Sequence, residues 1–390
     1  MPGLALVLLA LSFLSFAQTA ATYATTSFEH AAVADVAGKS RDVLREIDNQ
    51  GLSFQVLTVY DWTETKGTRD DREIGFGRYS FDLSMAVDGK KLFGLGGSDG
   101  LVRLKHHMRQ FGATDDCAAQ VFSNIDSNSR TTLYEFWLEQ RMFSNKIRLK
   151  AGKIDANTEF AAVQTASDFL NSSMGYSPTI MAFPTYPEPK LGLNAFLGTN
   201  RYVLGLGMFK TSGAGTLSII EPGHSWTMGQ SERPGHASFG YWRLDGSIER
   251  FDAARASGTQ GFYAVLEQSV WRKPLASQGE RKLSAFLQAG WAASEVSPIT
   301  RHVGGGTVLD GPFLKRSRDA IGTAATWVSF SSEPAAGFDL RSELAVETYY
   351  KATLARHFAL VEDIQYLHQP GGLRANHDCL VITPRIVISF

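Results

Sequence analysis

What most constrains this chain is a hydrophobic period of two that persists over long segments. In RYSFDLSMAVDG, Tyr79, Phe81, Leu83, Met85 and Val87 alternate with Ser80, Asp82, Ser84 and Ala86. In GLSFQVLTVYDW, Leu52, Phe54, Val56, Tyr60 and Trp62 share one face. TLYEFWLEQ sets Tyr134, Phe136 and Leu138 against Glu135, Trp137 and Glu139, and HDCLVITPRIVISF sets Leu380, Ile382, Ile386, Ile388 and Phe390 against Thr383, Arg385 and Ser389. Strict alternation is the pattern of a strand with chemically different faces. Two architectures supply such faces: a soluble sandwich or barrel with its apolar side turned to a core, and a membrane barrel with its apolar side turned to lipid and its polar side to a watery lumen. Soluble strands cluster near 5–6 residues, whereas a tilted membrane strand needs about 9–11. The side chains opposite the apolar rows are often fully charged, among them Glu135, Glu139, Arg148, Lys150, Glu267, Glu343, Glu347 and Arg385. Length and charge together favour the membrane barrel.

About sixteen such segments can be placed, an even number, as single-chain bacterial barrels require. They run over 52–62, 73–87, 100–110, 132–141, 147–153, 201–209, 217–224, 237–246, 248–254, 261–272, 281–292, 299–309, 319–330, 339–350, 357–368 and 379–390. Their connections alternate in length: FSNK, KPLASQGE and KATLAR are short, and GATDDCAAQVFSNIDSNSR is long. A chain that closes its barrel with the last strand needs no polar tail, which places Phe390 in an aromatic girdle at the periplasmic interface, where assembly machinery reads the C-terminal strand. The predicted fold is therefore all-β: a transmembrane antiparallel β-barrel of about sixteen strands over 51–390, with a short N-terminal helix.

The segments outside the barrel agree with this. Residues 1–24 read as a secretory signal peptide, with an apolar run from Leu4 to Ala17 and small residues after it. A membrane anchor is the other reading, but the run is short for a span and lacks a basic flank. Residues 25–50 form a lead-in, with Val43, Leu44 and Ile47 at helical spacing before Gly51. A net charge of −1 gives no reason to expect a nucleic-acid partner. Cys117 and Cys379 allow at most one disulfide. An even strand count sets both at the same end of the barrel, where strand sixteen meets strand one, so the bond is feasible.

The longest insertion, residues 154–200, follows the fifth segment. A loop of that length is usually functional, and a wide lumen needs a constriction if it is to select. KIDANTEFA (153–161), DFLNSSMGYSPT (168–179), FPTYPEP (183–189) and EDIQYLHQPGG (362–372) resemble the characteristic stretches of the carbohydrate-selective porins of the OprB family, in the same order. The likeness runs from about residue 40 to Phe390, with Glu362 standing where the family usually has proline and no WGG-type lead-in near residue 40. The resemblance implies a sixteen-stranded barrel in the outer membrane of a Gram-negative bacterium, an inward-folded constriction loop over 154–200, and passive diffusion of glucose and related sugars into the periplasm, by a monomer or a homotrimer. A general diffusion porin of the same fold and a secreted soluble glycan-binding β-protein are the competing readings.

A sugar presents hydroxyls around its edge and apolar C–H faces, so a selective pore needs donors, acceptors and aromatic surfaces together. The predicted lumen faces supply Arg103 and Lys105 on the third strand, Glu135, Trp137 and Glu139 on the fourth, and Arg148 and Lys150 on the fifth. The inserted loop adds Asp155, Asn157, Glu159, Asp168 and Asn171. Arg148, Glu135, Asp155, Asn157 and Glu159 are the expected polar lining, with Trp137 as a stacking platform. Against this stands a plainer role: lumen charges that only solvate the wall, and Asp155, Asn157 and Asn171 as caps of loop turns. His106 and His107 are adjacent on a strand and so point to opposite faces, which argues against a metal site. The chain has no GxSxG, HExxH or P-loop motif, and GHSW at 223–226 is the one tempting Ser/His neighbourhood, so neither enzyme activity nor a cofactor is expected.

Overall fold

The computed structural model describes residues 46, 48–67, 74–110, 118–213, 215–274 and 280–390. The expected signal peptide, residues 25–45 and 47 of the lead-in, and Cys117, on which the feasible disulfide depends, lie outside the described residues. Of the lead-in helix, Glu46 and Asp48–Gln50 are described and helical, and the chain turns at Gly51 with a positive φ of 101°.

Sixteen antiparallel strands close into a barrel in chain order. They are β1 (Leu52–Lys66), β2 (Ile74–Asp88), β3 (Ser98–Gln110), β4 (Arg130–Met142), β5 (Ile147–Ile154), β6 (Lys190–Gly198), β7 (Tyr202–Lys210), β8 (Thr216–Met228), β9 (Arg233–Glu249), β10 (Arg255–Pro274), β11 (Glu280–Ala292), β12 (Ile299–Asp310), β13 (Ala320–Phe330), β14 (Ser342–Ala355), β15 (Phe358–His368) and β16 (Cys379–Ser389). Every neighbour is the next strand in sequence, and β16 returns to β1, so the sheet has no free edge. The count of sixteen matches the sequence reading, but two of the segments differ. The predicted 248–254 strand is the end of β9 and its turn, where Arg250 N–H bonds Ala254 O at 2.8 Å. The missing strand is β6, inside the segment assigned to the long loop, so that loop spans 155–189 instead.

The barrel closes at a buried polar seam. Asp61 on β1 is paired in register with Arg385 on β16, whose guanidinium grips both carboxylate oxygens at 2.7 and 2.8 Å. Next to them the Thr63 and Thr383 hydroxyls meet at 3.0 Å. Phe390 continues the pairing, its N–H bonding Val56 O at 2.9 Å, and its ring stacks on His357 at 5.1 Å.

The two faces of the wall follow the alternation. Outward-facing Leu104, Leu138, Leu191, Leu193, Leu287 and Val303 are exposed. Aromatic residues flank this band at both ends: Trp62, Trp291, Trp327 and Tyr366 near the long loops, and Tyr202, Trp271 and Phe390 near the short turns. Beyond Tyr241 the outward face of β9 becomes charged, with Arg243 paired to Asp245 at 2.6 Å. An apolar belt between two aromatic girdles is the surface of a bilayer-spanning barrel, and no helix among the described residues is long and apolar enough to cross a membrane.

The lumen is not simply wet. The inserted loop packs dry residues against the inner wall: Phe160 and Ile180 meet Ile154, Phe196, Phe209, Leu217, Ile219 and Trp242 in one cluster. Phe169, Leu170 and Met174 meet Phe286, Val308 and Tyr349 in a second. Two short helices punctuate the connections. α1 (Gly89–Phe93) lies in the β2–β3 turn with Asp88 accepting from the Lys90 and Lys91 N–H groups, and α2 (Ser172–Gly175) lies in the inserted loop, capped by Asn171.

Candidate functional site: the loop-lined lumen

The inserted loop leaves β5 at Ile154 and crosses the lumen on a row of carboxylates supplied by the wall. Glu221 of β8 accepts the Ala161 N–H at 2.9 Å, Glu267 of β10 accepts that of Thr165 at 2.6 Å, and Glu347 of β14 accepts those of Leu170 and Asn171. Lys351 reaches Asp168 at 2.7 Å. The loop then turns back past Gln288, which donates to the Ser173 and Met174 carbonyls at 2.7 and 2.9 Å, and past His302 at 3.1 Å from the Ser177 hydroxyl. It regains the wall where Glu188 bonds Arg130 at 2.8 Å. The second loop folds in beside it: Ala119 and Gln120 donate N–H bonds to Glu343 of β14, each at 2.8 Å, and Gly371 of the last loop donates a third at 2.6 Å. Hydrogen bonds from backbone N–H to a carboxylate are the strong kind, so these glutamates are structural anchors. The sequence reading grouped Glu267, Glu343 and Glu347 with charges that merely tolerate a lumen. Only the fold decides which loop N–H groups come to rest on them.

Where the loop first enters the lumen, it closes a charged cluster. Arg148 on β5 bonds Glu139 on β4 at 2.9 Å and both oxygens of Glu159 at 3.1 and 2.6 Å. Lys150 also bonds Glu159 and lies 3.5 Å from Glu139. The Lys150 ammonium sits 3.9 Å over the Trp137 ring, and the Arg148 guanidinium sits 3.9 Å over Phe196. Burial alone would raise the Glu159 pKa, but the Arg148 hydrogen bonds and the Lys150 charge prevail and hold it below the ordinary 4.5. A glycine makes room for this arrangement. Gly152 has φ 142°, and a Cβ there would lie 2.2 Å from Phe136 O and 2.6 Å from Trp137 Cα.

A second cluster lies one step towards the loop end. Arg103 bonds Glu135 at 2.9 Å, and Glu135 accepts the Asp155 N–H at 3.2 Å. Lys105 pairs with Asp82 at 3.3 Å and caps the Tyr134 ring at 4.3 Å. Tyr134 points inward and donates to Asp155, contrary to the sequence reading that put it with Phe136 and Leu138. The reason is a bulge: β3 pairs Arg103 with Glu135 but Leu104 with Leu133, leaving Tyr134 as the extra residue.

Of the expected site residues only Arg148 and Glu159 line the open cavity, and the others take different roles. Arg103, Lys105, Glu135, Trp137, Glu139, Arg148, Lys150 and Glu159 make up the two clusters. Asp155 caps a short turn by accepting the Asn157 N–H at 3.0 Å, and Asn157 itself reaches Phe160 O at 3.4 Å. Asn171 is buried, capping α2 through Ser173 and bonding Gln365 at 3.1 Å. These three hold the loop in shape. His106 bonds Thr131 on the outer face, whereas His107 is buried on the inner one. In the GHSW stretch, His224 stacks on Tyr202 outside the barrel, and Ser225 instead meets His236 at 3.0 Å inside it.

Along β5–β11 the inserted loop covers the part of the inner wall nearer the long loops, and the part nearer the short turns is left uncovered. There a cavity of about 1120 Å³ lies at the short-turn end, bounded by Arg148, Glu159 and Phe196 on one side and by β8–β11 on the other.

Comparison with known proteins bears on this geometry. The family model described as carbohydrate-selective porin, OprB family, matches residues 77–390. Among solved structures, the high-pH form of Pseudomonas putida OprB is similar with a TM-score of 0.78 at 18% identity, covering 89% of this chain and 96% of that one. Its low-pH form gives 0.62 at 16% identity, covering 90% and 97%. OccK5 (OpdH) of Pseudomonas aeruginosa gives 0.53 at 8% identity, covering 87% and 98%. These likenesses concern the fold. No curated protein sequence matches the chain.

Proposed function

Since the chain belongs to the OprB family of carbohydrate-selective porins, an outer-membrane β-barrel family, we propose that it lets glucose and related monosaccharides diffuse passively into the periplasm of a Gram-negative bacterium, after removal of a signal peptide. The observation that carries this reading is the Arg148–Glu139–Glu159–Lys150 cluster at the edge of the open cavity. Its cations and carboxylates neutralise one another, so the passage offers dense donors and acceptors without a strong net field. That suits a neutral polyhydroxylated solute better than an ion. Arg148 keeps 27% of its side chain exposed, and its planar fork can bind two vicinal hydroxyls. One face of Trp137 is taken by Lys150, and Phe196 is stacked on Phe160 with Arg148 over its ring, so recognition at this cluster rests on polar contacts more than on aromatic stacking. Weak binding at such a site speeds selection without stopping flow.

The test is ion current through single channels in a planar bilayer. The expected result is a current that falls, saturably, as glucose is added. A channel indifferent to glucose, with liposome swelling equal for sugars and amino acids of the same size, would replace this reading with that of a general diffusion pore.

A further inference from the structure

Resting on the sugar-porin reading, we infer that the cavity at the short-turn end carries a second polyol-binding subsite, on the inner wall of β8–β11 across from the Arg148–Glu159 cluster. The register builds it. Ser225 on β8 pairs with His236 on β9, and His236 with Glu267 on β10. One level nearer the turns, Ser269 on β10 pairs with Ser284 on β11. All five side chains line the cavity. Two of these groups are left with bonding capacity that the protein does not use. Ser269 is 4% exposed, and its hydroxyl has no hydrogen-bond partner among the described residues. Glu267 spends one oxygen, Oε1, on the Thr165 N–H.

Buried polar atoms in native proteins are nearly always satisfied, so a buried hydroxyl left without a partner beside a cavity calls for a bonding partner there. The composition of the wall says which kind. A hydroxyl both donates and accepts, as does a neutral imidazole through its two nitrogens. A wall of three hydroxyls, one imidazole and one carboxylate therefore matches groups of mixed polarity spaced around a ring. A free anion would be repelled by the Glu267 carboxylate. Lys282, a cation on the same cavity wall, is already paired with Asp310 at 3.2 Å. Two weak sites in series, one at the loop cluster and one on this wall, let a sugar pass from bond to bond while neither holds it long.

The experiment measures the glucose concentration that halves the fluctuating current, relative to each channel's own sugar-free current, for wild type, Ser269→Ala/Ser284→Ala and Ser269→Thr/Ser284→Thr. The alanine pair is expected to raise that concentration about three- to tenfold, the worth of one or two hydrogen bonds. The threonine pair, which keeps both hydroxyls, is expected to stay near wild type. Heat-modifiable mobility on gels reports that each barrel has folded. An alanine pair that blocks at the wild-type concentration overturns the subsite and leaves the loop cluster as the sole sugar site. A wild-type channel that glucose does not block overturns the sugar-porin reading itself, and the subsite with it.

Discussion

Glu159 carries more of the site than any other single side chain, because two cations converge on it and it belongs to the loop, not the wall. Replacing it with glutamine removes charge-assisted bonds worth about 1.5–3 kcal/mol each and leaves Arg148 and Lys150 with Glu139 alone. Glu159→Gln is expected to move the channel towards anions, read as a shift of reversal potential in a salt gradient, and to weaken block by glucose. The pH dependence follows from the lowered pKa. A carboxylate held below 4.5 contributes stability that is fully present above 4.5 and is lost only as the pH falls through the lower folded value. The conductance difference between wild type and Glu159→Gln is therefore expected to persist from neutrality down through pH 4.5 and to shrink only below it. A difference that vanishes by pH 5 would contradict the clamp. Gly152 is the second sensitive position. Its backbone conformation and the nearness of Trp137 leave no space for a side chain, so Gly152→Ala is expected to cost about 1–3 kcal/mol and to shift Trp137, visible as a changed emission maximum against a background with the other tryptophans unaltered.

Among elements, the inserted loops depend on the wall beneath them. Glu343 gathers backbone N–H groups from the second and last loops while itself fully buried. Glu343→Ala leaves these donors without their anchor, at about 1–3 kcal/mol for each one left unsatisfied. The expected outcome is a larger, noisier conductance and faster proteolysis in the second loop, with the barrel still heat-modifiable. A quiet channel of wild-type conductance would show that the anchor is dispensable. Element boundaries also mark where the sequence stopped being legible. Segment β6 was hidden because its inward positions, Gly192, Asn194 and Phe196, are not uniformly polar: Phe196 packs in a dry cluster under the loop. Alternation weakens wherever the lumen side is covered by protein. Tyr134 was misassigned for another reason, since a bulge shifts facing without any change in composition.

For the molecule as a whole, closure and asymmetric filling are the decisive features. Asp61 is fully buried and its partner Arg385 nearly so, and this pair joins the first strand to the last. Removing one member of a buried ion pair typically costs about 3–5 kcal/mol, so Asp61→Ala is expected to lower the temperature at which the compact band disappears on a gel. Ser123 and Asn124 of the second loop also bond to this pair, at 2.7 and 2.9 Å, so the same change is expected to loosen that loop. By itself the sequence determined the barrel, the outward apolar face and most wall residues of the two charged clusters, because a period of two and the chemistry of each face are local properties. What only the tertiary structure decided was which lumen charges carry loops and which face open space. Those roles depend on backbone N–H groups brought from residues up to 224 positions away, as Glu343 meets Ala119, and no local pattern records where a loop will land.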